Sequence, residues 1–184
     1  MSKYKCLTKQ EFSKGEFKLV PIRFEDRYEI MKWRNEQIYH LRQKEPLTIE
    51  QQDVYFEKVV AKLFDQEQPN QILFSFLKNG ELIGYGGLVH INWDDNNAEV
   101  SFIMDTKLEY EFFDLYWNQY LELLEDISFG QLKLHKTFVY AFDVRPFLYD
   151  VLKKSGYFLD SILSEHCKIN DSYKDVLIYS FINR

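Results

Sequence analysis

The run ILFSFLKNGELIGYGGLVHI at residues 72–91 holds two strand-like stretches, Ile72–Leu77 and Leu82–Ile91, on either side of Asn79-Gly80. Asn followed by Gly is a strong hairpin signal, because both central positions of a type I′ turn need positive φ. The two stretches therefore read as an antiparallel hairpin. The loop Trp93-Asp94-Asp95-Asn96-Asn97 then leads into AEVSFIMD, Ala98–Asp105, which extends the meander by one strand.

Working outward to the C-terminus, Phe113, Tyr116, Trp117, Tyr120, Leu121, Leu124 and Ile127 fall on one face of a helix predicted from Lys107 to Ser128. KTFVYAFD, Lys136–Asp143, is again strand-like. A strand, a long helix and a strand in succession predict a parallel crossover. Pro146 suits the first turn of a following helix and Gly156 its left-handed terminus. Two last strands, about 159–168 and 174–182, flank the turn Asn170-Asp171-Ser172.

Toward the N-terminus, Phe17, Leu19 and Ile22 predict a short strand ending at Arg23, and FEDRYEIMKWRN a first helix with Tyr28, Ile30 and Met31 as its apolar positions. Thr48-Ile49-Glu50-Gln51 is a capping-box pattern opening a second helix, with Val54, Tyr55, Val59 and Leu63 as its stripe and an end near Phe64. Residues 1–16 read as an irregular lead-in, and 17–184 as one domain. A chain of this length buries a sizeable core without staples. The expectation is a mixed α/β sheet of about seven strands and about four helices.

A net charge of −6 and the lack of a basic stripe argue against a nucleic-acid partner. Cys6 and Cys167 lie far apart with no metal or redox spacing, which points to free thiols and a reducing, cytoplasmic compartment. No apolar signal core or spanning segment is legible, so no membrane role is expected, and no metal cluster is either.

Trp33-Arg34-Asn35 in the first helix, Ile83-Gly84-Tyr85-Gly86-Gly87 in the hairpin's second strand, Ala98–Asp105 and Lys153–Phe158 occur in an order that resembles the GCN5-related N-acetyltransferase (GNAT) superfamily over roughly residues 17–184. The resemblance is to the branch of ribosomal-protein and amino-sugar N-acetyltransferases. It implies a GNAT-like fold whose fourth and fifth strands, Ala98–Asp105 and Lys136–Asp143, splay apart. The pantetheine arm of acetyl-CoA would lie in that gap against the backbone of Ile103, Met104 and Asp105. It also implies that the diphosphate meets the start of the next helix, here Thr106 and Lys107, with Asp143 and Arg145 as further candidates, Arg145 either meeting a CoA phosphate or pairing with Asp143. The chain departs from the family there. Residues 106–114 contain no glycine and carry Glu109, Glu111 and Asp114, which suit an empty helix N-terminus and repel a diphosphate. Thr106 and Glu109 form a second capping-box pattern. The position of the family's proton-donating tyrosine is Leu152, which leaves Tyr149, one turn earlier, as the candidate acid.

Acyl transfer to nitrogen needs a neutral amine, an oxyanion stabiliser and a proton for the thiolate. By the resemblance, Glu99 matches a carboxylate often found at the start of the fourth strand in this branch and is the candidate to take the amine proton, with His90, near the end of the third strand, as the alternative. A main-chain N–H of Ile103 or Met104 is the candidate oxyanion donor. Arg34, Asn35, His40, Arg42, Trp93 and Asp94 are the candidate acceptor-binding residues, an Arg pair suiting a diphosphate or carboxylate. The implied acceptor is a small-molecule amine, an amino-sugar nucleotide first and a protein N-terminus second. The rival expectation is a superfamily member that binds without turnover. Homodimerisation through the aromatic-rich C-terminal strands is compatible with either.

Overall fold

The computed structural model describes residues 2–184, which form one eight-stranded sheet flanked by helices on both faces. The strands are β1 (Phe12–Lys14), β2 (Phe17–Pro21), β3 (Ile72–Lys78), β4 (Glu81–Asn92), β5 (Asn97–Met104), β6 (Lys136–Phe142), β7 (Phe158–Ile169) and β8 (Ser172–Ile182). Their order across the sheet is β1-β2-β3-β4-β5-β6-β8-β7. Every neighbouring pair is antiparallel except β5 and β6, the predicted crossover pair.

The β3–β4 turn has φ of 51° at Asn79 and 87° at Gly80, as a type I′ turn requires. The helices are α1 (Arg27–Glu36), α2 (Ile49–Tyr55), a short α3 (Ala61–Leu63), α4 (Glu109–Glu125) and α5 (Pro146–Lys154). The predicted capping box at Thr48 and Gln51 opens α2. At the far end of α5, Gly156 takes φ +83°, its N–H donates to Lys153 O, and Tyr157 N–H donates to Leu152 O. This is a Schellman ending, and it turns the chain directly into β7.

Three expectations are corrected. The lead-in is not irregular throughout: β1 pairs with β2, and Tyr4 is fully buried, with its hydroxyl bonded to both the N–H and the C=O of Leu73. This added strand brings the count from seven to eight. The apolar stripe of the second helix is also shifted. A π-turn at Phe56–Val60 joins α2 to α3 and widens one turn by a residue, so Phe56, Val60 and Leu63 face inward while Val54 and Val59 are exposed. Finally, Thr106 and Glu109 do not form a capping box. Asp105 caps the 3₁₀ turn Thr106–Leu108 through Lys107 N–H, and Thr106 and Glu109 bond elsewhere.

Side chains alternate across β5. Ala98, Val100, Phe102 and Met104 join the large core beneath α4 and α5, whereas Ile103 joins a second core with Ile30 and Trp33 of α1 and Phe56 and Val60 of the second helix. Gly86 serves the first face: a Cβ there would stand 2.0 Å from Ser101 O and 2.6 Å from the Tyr120 hydroxyl. Its absence lets Tyr120 donate to Ser101 O at 2.8 Å while stacking on Phe102. No helix of the described residues is long and apolar enough to cross a membrane.

Candidate active site

β5 and β6 pair only at Asn97–Lys136, Ala98–Thr137 and Glu99–Phe138 before they separate. The splay predicted for the fourth and fifth strands therefore lies between these two. A cavity of about 450 Å³ occupies the gap, with Phe102, Trp117 and Leu148 on the α4/α5 side and Arg34, Arg42 and Glu99 on the α1/α2 side.

The free edge of β5 follows from ladder geometry. Asp105 N–H donates to Ile83 O at 2.9 Å, and in an antiparallel ladder alternate residues turn their N–H and C=O to the same neighbour. Ile103 therefore spends its N–H on β4, and Phe102 and Met104 turn theirs to the gap. Of the two expected oxyanion donors, Met104 turns its N–H to the open side of β5 while Ile103 spends its N–H on β4, although it is Ile103 that lines the cavity.

Glu99 is buried in the wall of this cavity. Its carboxylate pairs with Arg42, whose guanidinium lies 4.6 Å from the centre of the Tyr140 ring. His90 Nε2 stands 3.9 Å away on the other side. A bulge in β4 between Val89 and Asn92, with His90 at φ +50°, brings that ring out beside Glu99. Burial raises the Glu99 carboxyl above the usual range, and Arg42 and His90 pull it back down. A buried carboxylate at a cavity wall, raised by burial and held by one half-exposed cation, is suited to accept a proton.

The coenzyme side of the gap is held by a polar chain. Gln37 is buried and donates to Met104 O at 2.8 Å and to Thr106 Oγ1 at 3.0 Å, and Thr106 donates to Glu36. His40 Nε2 lies 3.2 Å from Gln37 Oε1, and Arg145 Nη1 lies within 3.1 Å of both ring nitrogens. Arg145 Nη2 donates to Glu109 at 2.7 Å. Burial and the neighbouring Arg145 push His40 down to about 3, so the ring is neutral. The buried Arg145 Nε has no partner among the described residues.

This arrangement fits an acetyl-CoA arm in the gap. The β5 edge offers free N–H groups, and Arg145, with an unused buried donor, sits beside the start of α4. Lys107 is near the same helix start and forms no ion pair among the described residues. Glu109 competes for that same guanidinium.

The remaining expected residues fall into two groups. Arg34 lines the cavity, as do His40, Arg42 and His90. Asn35 instead clamps the loop before α2, donating to Leu47 O and accepting from Leu47 N–H. Trp93 donates to Pro69 O and packs on the core, and Asp94 is an exposed turn residue; neither lines the cavity. Tyr149 stacks on Tyr179 and donates to Asp143 at 2.8 Å, away from the cavity wall. Burial and Asp143 both raise this phenol, which makes it a poorer acid. Asp143 is thereby engaged with Tyr149.

Sequence reasoning missed Tyr55, Gln71 and Ser101, which add polar groups to the cavity wall, Tyr85, which accepts from Arg34, and Gln37, which ties the end of β5 to the start of the next helix. Gln37 carries a signal in retrospect: it continues the Ile30–Trp33 stripe by one turn, where an apolar residue belongs.

The family model described as an acetyltransferase (GNAT) domain matches residues 19–178, and the chain belongs to that family. It is an acetyl-CoA-dependent N-acetyltransferase. The spermidine N-acetyltransferase of Vibrio cholerae in complex with CoA and spermine is 20% identical, covers 92% of this chain and 96% of its own, and superposes with a TM-score of 0.78. A chimera of that enzyme with hSSAT is 22% identical, with coverages of 91% and 96% and a TM-score of 0.73. A structure described only as a putative acetyltransferase is 14% identical, with coverages of 95% and 87% and a TM-score of 0.72. No curated protein sequence matches the chain.

Proposed function

We propose that this enzyme acetylates the primary amine of a small molecule bound on the α1/α2 side of the gap, with Glu99 as the group that takes the amine proton. The supporting observation is the position of Glu99: it is the only carboxylate in the cavity wall among the described residues, and it faces the splayed strands where a thioester arm fits.

In this reading acetyl-CoA supplies an activated acyl group, and the chain's own residues position it and manage protons. Glu99 accepts a proton from the ammonium, assisted by Arg42, which keeps the carboxylate charged, and by His90, through which the proton passes to solvent. A β5-edge N–H, Met104 first, meets the oxygen that becomes negative when the amine adds to the carbonyl. Arg145 and Lys107 take the diphosphate. Tyr149 has no role in this scheme: as the tetrahedral adduct collapses the C–S bond breaks, the nitrogen gives up its remaining extra proton by way of Glu99, and the departing thiolate takes a proton from solvent.

The neighbours' polyamines are poor candidates for this cavity, because a polycation needs several carboxylates and this wall offers one, already paired. An amino-sugar nucleotide remains the first compound to screen. A cytoplasmic setting, where acetyl-CoA and the free thiols Cys6 and Cys167 coexist, completes the proposal.

The test is thiol release from acetyl-CoA across an amine panel with wild type and Glu99→Gln. The variant is expected to bind CoA unchanged and to lose about 100-fold or more in kcat, within the range for general acid–base groups. Unchanged kcat would remove Glu99 from the mechanism.

A further inference from the structure

Arg34 differs from the other arginines of the folded body. Arg23, Arg27, Arg42 and Arg145 each have a carboxylate partner. Arg34 has none among the described residues: its Nε donates to Gln43 at 3.0 Å and its Nη1 to the Tyr85 hydroxyl at 2.7 Å, both neutral groups. Nη2, with two N–H donors, has no protein acceptor among the described residues. The side chain is half-buried, so water compensates it only in part.

Its position is as informative as its lack of a partner. A second cavity, of about 250 Å³, lies between the helices α1 and α2 and the sheet, with Ile22, Ile30, Phe56 and Leu73 among its apolar walls and no carboxylate among the described residues. Arg34, Gln71 and Ser101 belong to the walls of both cavities. The guanidinium thus stands at the neck between an apolar pocket and the gap that holds Glu99. Ser101 lies on the same face of β5 as Glu99, two residues along, and its hydroxyl has no partner among the described residues.

We infer that Arg34 binds an anionic group of the acceptor, a carboxylate or a phosphate, with the acceptor's apolar part in the second cavity and its amine toward Glu99. This rests on the acetyltransferase reading given above. A planar guanidinium with a free N–H pair matches either oxyanion, and Ser101 adds a neutral donor beside it. The same cation in the neck repels an acceptor made only of ammonium groups. Acceptor choice is therefore set by an unpaired positive charge, and the acceptor supplies the counter-charge that the fold withholds.

The experiment uses matched pairs: L-phenylalanine against phenethylamine for the carboxylate, glucosamine 6-phosphate against glucosamine for the phosphate, and spermidine as the polycation. The anion-bearing member of at least one pair is expected to lead in kcat/KM by about 10- to 100-fold, the worth of one charge-assisted hydrogen bond, and the pair that shows it identifies the anion. Arg34→Gln is expected to abolish that preference and Arg34→Lys to retain part of it. A preference that persists in Arg34→Gln, or equal rates within both pairs, overturns the inference and leaves the acetyltransferase reading intact.

A titration independent of turnover separates the two. With CoA bound, 3-phenylpropionate or inorganic phosphate is expected to bind wild type and not Arg34→Gln, with both proteins showing cooperative melts. Acetylation of none of the amines together with such binding would overturn the proposed acceptor chemistry and keep the anion site. Failure of both anions to bind wild type would overturn the site.

Discussion

Replacing Glu109 by Gln tests whether the acidic start of α4 competes with acetyl-CoA. In the free enzyme Glu109 holds Arg145 at 2.7 Å, with side-chain exposures of 19% and 6%. A diphosphate at the same helix start faces two effects of that carboxylate: it occupies the guanidinium, and it repels the incoming charge. At an effective dielectric of about 20 and a separation of about 5 Å, a like-charge pair costs roughly 3 kcal/mol, and solvent at the partly open mouth reduces this further. The side-chain amide of the Glu109→Gln variant would keep a neutral hydrogen bond to Arg145 of about 1 kcal/mol. The net gain for CoA is then about 1–2 kcal/mol, or roughly 5- to 30-fold in Kd. The cost appears in the free protein, where Arg145 loses its counter-charge and stability falls by about 1–3 kcal/mol. Calorimetric titration with CoA and a thermal melt, run on both proteins, read these opposite signs together. A melt lowered in Glu109→Gln with CoA affinity unchanged or weakened would refute the competition and leave Glu109 as a purely structural partner of Arg145. Burial raises the Glu109 carboxyl, against the pull of Arg145, so its protonation on acidification should mimic the variant. Wild-type CoA affinity is expected to rise as pH falls into that raised range, and Glu109→Gln to lack the rise.

Burial likewise raises the Glu99 carboxyl, with Arg42 and His90 opposing, so kcat/KM of wild type should climb with pH through a range above that of an ordinary carboxylate; a pH profile of Glu99→Gln should be low and flat across it. His40 is held neutral down to about 3, below its ordinary 6.5, so the unfolded chain binds a proton that the folded one refuses. Stability is then full above about 6.5 and lost progressively as pH falls toward 3, and His40→Asn, compared by denaturant titration, should shed most of that slope. Gly86→Ala would drive a Cβ to 2.0 Å from a backbone oxygen, and β4 and β5 must part to admit it; about 3 kcal/mol or more of lost stability is expected in a urea melt, whereas Gly130→Ala, with open space around it, should cost little.

Much of the fold is legible in the sequence because its signals are local. Asn79-Gly80 admits the turn that aligns β3 and β4, the apolar face from Phe113 to Ile127 lies on one side of α4, and Gly156 permits the ending of α5. Each of these acts within a few residues through φ or a helical period. The lead-in escaped for the opposite reason: Tyr4 is buried by Leu73 and Phe64, partners about 60 to 70 residues away, and its polar neighbours in sequence give no sign of this. The π-turn in the second helix also has no local signature, and one added residue rotated half of the expected stripe into solvent.

The candidate site divides along the same line. Glu99, Arg34 and Arg145 were accessible through the family resemblance, and Arg42 and His90 because charged residues near strand and helix ends stand out against an apolar pattern. Their pairing was not, since it depends on where α1, the loop after it and α5 are brought against β5. That packing joins Arg42 to Glu99 and Arg145 to His40 and Glu109, turns Tyr149 toward Asp143, and assigns Asn35 to the backbone of Leu47. The order of strands and helices and the turn types follow from the chain's own periodicities and φ requirements, and the family from the resemblance of the residues that sit on them. Which cations are neutralised and which one, Arg34, is left for a ligand was decided only by tertiary structure, because a charge's partner is set by distance in space and not by spacing along the chain.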